Sequence, residues 1–207
     1  MTPKEKIDQA ILPMCNLLKE RGFKKNGRNF VKLNGDRGSA ISVIASRFNS
    51  GNSVTFGISI GVLIPEIPFS RNRKFPNKLT RADQCSWVTD IGFLLPERNQ
   101  LSWEVGQASN IGSVSEEIVN LVSNIAMPWL SSNIYLEAFL KWLATQPGTI
   151  AAELLLRFDR KKEARGCIDI SIQEYMRRSK LFPDMFTPEF IAGKKVSLHK
   201  WLETHDL

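Results

Sequence analysis

The chain has 207 residues, 43% of them hydrophobic and 24% charged, which supplies ample material for a core and argues against wholesale disorder. A net charge of +7 and a pI near 9.5 favour acidic or polyanionic partners, and speak of association and solubility rather than fold. Three widely spaced cysteines exclude a disulfide framework and a zinc pattern, and no apolar run approaches the roughly 20 residues that span a bilayer.

Thr2-Pro3-Lys4-Glu5 reads as a helix capping box with proline at the first helical position. Ile7, Ile11, Met14 and Leu18 follow on one helical face. Pro13 removes a hydrogen bond and costs about 3 kcal/mol inside a helix, so the helix kinks there or begins near Leu12. Gly22 is a C-terminal stop, with Lys19 and Arg21 complementing the helix dipole. A basic turn holding Lys24, Lys25 and Arg28 leads into the first strand. The stretch from Lys19 to Arg37 carries the largest local excess of positive charge.

Three strands are expected next. Asn29 to Asn34 and Ala40 to Phe48 flank a turn cluster, Asn34-Gly35-Asp36-Arg37-Gly38. From Val54 to Val62, Val54, Phe56, Ile58, Ile60 and Val62 face a core, while Thr55, Gly57, Ser59 and Gly61 face the other way. The second face is small and smooth, and a helix is expected to pack on it. Residues 65–84 then form a long proline-containing loop with Arg71, Arg73, Lys74, Lys78 and Arg81. The sheet resumes from Trp87 to Leu95, turns at Pro96-Glu97-Arg98-Asn99 and returns from Leu101 to Val105.

The remainder reads as helical. Ser113-Val114-Ser115-Glu116 resembles a second capping box. Val114, Ile118, Leu121, Val122 and Ile125 form an apolar face that should stop before Pro128. A helix around Tyr135 to Leu143 follows, then Ala151 to Lys162 and Ile168 to Arg178 divided near Gly166. Leu198, Trp201 and Leu202 suggest a final short helix. The fold class is α+β: an N-terminal helix, an antiparallel sheet of about five strands and C-terminal helices. The expected organisation is an α+β domain over residues 1–145, with a helical extension over 146–207 packed on it.

Several of these features recur together in one family. They are the Leu17-Leu18-Lys19-Glu20-Arg21-Gly22-Phe23-Lys24-Lys25 helix end, Gly27-Arg28-Asn29-Phe30 and the Val54 to Gly61 strand. Cys85-Ser86-Trp87 with Ile91-Gly92, then Trp103, then Met127-Pro128-Trp129-Leu130 complete the set. In order and spacing the chain resembles the bacterial family catalogued as domain of unknown function 4304, over about residues 5–145. The resemblance implies the architecture and contributes no catalytic residue.

Histidine chemistry has little to work with, because His199 and His205 lie in the last nine residues and on different helical faces. No metal or cofactor is expected; structural metal sites usually need four ligands. Cys15, Cys85 and Cys167 read as small apolar fillers. Glu116 and Glu117 sit in a helical first turn, where the dipole explains them. There is no Walker loop, dinucleotide fingerprint, HExxH or GxSxG. The residues speak against an enzyme.

The expected function is a non-enzymatic, cytoplasmic protein-interaction module with a basic surface of Lys24, Lys25, Arg28, Arg71, Arg73, Lys74, Lys78 and Arg81. An acidic protein partner suits it better than nucleic acid, and no membrane is involved. An immunity-like role, neutralising a bacterial toxin, is one form of such a module. Nucleic-acid binding through the same cations, interleaved with Phe23, Phe30, Phe69 and Phe75, is the alternative. Carboxylate or cysteine catalysis is the third reading.

Overall fold

The computed structural model describes residues 1–49, 53–67, 79–106 and 110–207. Two compact units, Met1–Leu136 and Glu137–Leu207, divide the chain.

In the first unit, α1 (Pro3–Ala10) begins with the full Thr2–Glu5 capping box. Pro13 settles as a helix-start residue: α1 ends at Ile11, and α2 (Leu12–Glu20) begins with proline in its first turn, where the missing N–H is harmless. Ile7, Ile11, Met14 and Leu18 are all essentially inaccessible to solvent. Each contributes about 1.5 to 3 kcal/mol at most by burial. Gly22 closes α2 at φ +82°. Its N–H donates to the Lys19 carbonyl and that of Phe23 donates to the Leu18 carbonyl, a Schellman termination.

Lys24 and Lys25 lie on a strand, not in the expected turn. The sheet contains β1 (Lys24–Asn26), β2 (Asn29–Asn34), β3 (Arg37–Ala45), β4 (Val54–Leu63), β5 (Trp87–Asp90) and β6 (Ser102–Val105). β1 to β4 pair in sequence order, all antiparallel. Two-residue turns join β1 to β2 and β2 to β3, and each opens on a glycine with positive φ, Gly27 and Gly35.

β5 and β6 do not form the expected hairpin. Both pair with the same edge of β4, β5 along Ser59–Val62 and β6 along Val54–Gly57. The eleven residues between them, Ile91 to Leu101, are an excursion from what is otherwise one strand position. Asp90 pins its two ends: its Oδ1 accepts the N–H of Gly92 at 2.8 Å and that of Leu101 at 3.2 Å.

The sheet has two different faces. Phe30, Ile41, Val43, Phe56, Ile58, Ile60, Trp87 and Trp103 form the core toward the helices. On the other face no α-helix packs over the glycines of β4. A 3₁₀ turn at Ala82–Gln84 and its neighbour Cys85 pass there instead. A Cβ on Gly61 would lie 2.7 Å from the Cys85 Cβ and 2.9 Å from the Ala82 carbonyl oxygen. Val31, Ala40, Leu79, Ala82 and Cys85 form a small second core on this side.

α3 (Ile111–Leu121) is capped by Asn110, one turn earlier than the serine read from the sequence. Its helix does not stop before Pro128. It passes through a π turn at Val122–Ala126 into α4 (Met127–Asn133), where the Met127 N–H bonds back five residues to the Val122 carbonyl. Proline has no N–H to offer an α-helical carbonyl, and the wider turn absorbs that loss. It also explains the burial of Ile118, Val122, Ala126 and Leu130. Steps of four drift about 40° each in an α-helix, and one surplus residue takes most of that drift back. Trp129 of α4 meets Trp87 of β5 edge-on at 4.9 Å between ring centres.

The second unit is helical: α5 (Leu136–Leu143), α6 (Thr149–Leu156), α7 (Lys161–Leu181) and α8 (Pro188–Thr204). Gly166 lies inside α7, and the break falls at residues 157–160, where Asp159 has φ +56°. The final helix is 17 residues long, not short. Among the described residues, no helix is long and apolar enough to cross a membrane.

Candidate functional site

The cations singled out in the sequence divide by face. The pairing of Lys24 with Val31 places Lys24 on the side of the sheet that carries Leu79 and Ala82. Lys25 pairs with Phe30 on the opposite side, its Nζ 6.0 Å from the ring centre. Arg28 reaches α1: Nε donates to Asp8 Oδ1 at 2.8 Å and Nη2 to the Lys4 carbonyl at 2.9 Å. Arg81 pairs with Asp83 at 2.8 Å. Arg71, Arg73, Lys74 and Lys78 lie outside the described residues. β1 is also the outer strand of the sheet, and lysines on an outer strand discourage pairing with another chain.

The cysteine and histidine groups have local explanations. Cys15, Cys85 and Cys167 are buried and unpaired. Burial, reinforced by the Asp83 charge, pushes the Cys85 thiol up; burial does the same for Cys167, whose Sγ faces the Leu143 carbonyl. The Nδ1 atoms of His199 and His205 each lie 2.8 Å from a carbonyl oxygen of their own helix, those of Lys195 and Trp201. Among the described residues, no group of three or more His, Cys, Asp or Glu is arranged to hold a metal ion.

A groove of about 700 Å³ runs between the α1–α2 junction and α3 with its π turn. Leu12, Pro13, Ile111 and Val119 provide apolar walls, and Gln9, Asn120 and Asn124 provide amides. Glu116 is the one ionisable residue in its lining. Leu12 is 54% exposed, an apolar side chain held out at the start of α2 by the break at Ile11. The two walls are fastened beneath the groove by Ser115, whose buried hydroxyl lies 2.8 Å from the carbonyl oxygens of both Ala10 and Ile111. A smaller hollow of about 270 Å³ shares Ser123 with it and is lined by Arg21, Met127 and Pro128. The sequence reading missed this site because its walls are about a hundred residues apart. The available signals were Asn110 as a cap and the four-residue spacing of buried positions after it.

No curated protein and no solved structure matches the chain. One family model matches residues 14–132, from within α2 to within α4, so its limits coincide with the two walls of the groove. The chain therefore belongs to the family described as domain of unknown function 4304.

Proposed function

We propose that the chain is a non-enzymatic, cytoplasmic protein-interaction module that docks a segment of an acidic partner protein in the groove between α2 and α3. The observation that carries this reading is the lining itself: apolar side chains interspersed with amides and a single carboxylate. Such walls suit a polypeptide, whose side chains seek apolar pockets and whose backbone seeks amide partners. The net charge of +7 favours encounter with an acidic partner. Three unpaired, buried thiols suit a reducing compartment and a packing role.

The test is affinity capture on the immobilised full chain, comparing wild type with Leu12→Glu and with Ile150→Glu as a control. Both positions are exposed, so neither substitution disturbs packing. A partner retained by wild type and by Ile150→Glu but lost by Leu12→Glu supports the reading. Equal capture by all three overturns the groove assignment. Capture of nucleic acid alone, with affinity falling steeply as salt rises, overturns the protein-partner assignment.

A further inference from the structure

The second unit carries a surface of different character. The first half of α7 packs inward through Ala164, Cys167, Ile168 and Ser171, and no residue of α7 beyond Ser171 is buried. In α8 only Ile191 and Leu202 are buried. Between the end of α7 and the start of α8 lies a groove of about 470 Å³. Its floor is apolar, with Met176, Phe186, Pro188 and Ile191, and Lys180 and Lys195 flank it. No carboxylate lines it.

The local charge balance is lopsided. From Met176 to Lys200 there are six cations (Arg177, Arg178, Lys180, Lys194, Lys195, Lys200) against two acids (Asp184, Glu189). Both arginines are engaged by Glu174 through bonds of 2.8 to 2.9 Å, and Lys194 lies 5.5 Å from the Phe190 ring centre. Lys180 and Lys195 make no ion pair among the described residues. A second copy of the chain would bring like charges together across this groove, which opposes self-association. Methionine and phenylalanine form an adaptable apolar floor of the kind that receives helical segments.

We infer that the α7–α8 groove is a docking site for an acidic amphipathic helix of a partner protein. The apolar face of that helix sits on Met176, Phe186 and Ile191, and its flanking carboxylates meet Lys180 and Lys195. This surface is independent of the α2–α3 groove.

The test uses the full chain and a fluorescent synthetic helix with leucines along one face and glutamates on the other. Expected is saturable binding that weakens about tenfold in Lys180→Glu/Lys195→Glu, a change of about 1.4 kcal/mol. Met176→Glu weakens it as well, while Leu12→Glu leaves it unchanged. Circular dichroism establishes that each variant is folded. Equal binding of a lysine-substituted helix overturns the proposal, as does indifference to both sets of substitutions. Binding to phosphatidylglycerol vesicles with no binding of the acidic helix, or dimerisation through this groove, overturns it too.

Discussion

Arg28 and Asp8 form an ion pair at 2.8 Å that joins the β1–β2 turn to α1. The same guanidinium donates to the Lys4 carbonyl, so one side chain holds both the carboxylate and the backbone of the first helix. A cation that the sequence offers as a surface contact is thus a fastening within the fold. Arg28→Ala is expected to lower stability by about 1 kcal/mol, with less effect at high salt. Lys24→Glu should leave stability unchanged. Denaturant titration of the two variants checks this, and equal stability would mean that the pair contributes nothing.

Gly61→Ala should cost about 1 to 3 kcal/mol, because the new methyl meets Cys85 and the Ala82 backbone. The backbone oxygen cannot move aside as the end of a flexible side chain can. Gly57→Ala, whose nearest listed neighbour would be the Leu101 oxygen at 3.2 Å, should cost less. Thermal unfolding of the pair ranks them, and the reverse order would refute the close approach at Gly61.

Asp90→Ala removes the acceptor for the Gly92 and Leu101 amides. The expected loss is about 1 to 2 kcal/mol, as for other caps. Amide exchange should quicken at Gly92 and Leu101 first, since they lose their partner directly. Unchanged protection at both would show that the excursion is held by its packing alone.

Glu174 supplies a pH-dependent element in α7. Hydrogen bonds from Arg177 first and Arg178 second hold its pKa at about 2, below its ordinary value of 4.5. A depressed carboxyl pKa contributes stability that is complete above 4.5 and lost as pH falls toward about 2. Amide protection in the last turns of α7 should therefore decline across that interval, and Glu174→Gln should abolish the dependence. An identical acid profile in the variant would refute it.

The three thiols should resist a disulfide exchange reagent in the native protein and react together on unfolding. Their burial, and the raised thiol pKa of Cys85 and Cys167, suppress the thiolate that does the attacking. Rapid native labelling of Cys85 or Cys167 would contradict this.

Periodicity made α1, α2 and β4 legible, because Ile7 to Leu18 and Val54 to Val62 repeat with the spacing of one buried face. β1 offered no such signal: Lys24, Lys25 and Asn26 are all exposed, and a three-residue strand carries no alternation to detect. β5 and β6 looked like a hairpin because a turn lies between them, yet both find their partner in β4. The α6–α7 break was hidden because Asp159, not a glycine, takes the left-handed conformation. The candidate groove was the least legible part. Gln9 and Asn124 become neighbours of one space only after the sheet and helices have assembled.

The π turn at Val122–Ala126 makes the residue count of this helix a structural variable in its own right. Deleting one residue between Ile118 and Leu130 would favour an unbroken α-helix, and would swing everything after it by about 100° around the axis. Leu130 would leave the core and Trp129 would turn away from Trp87. The azimuth of α4 is therefore set by chain length, and a length change there should do more harm than most single substitutions in the same segment.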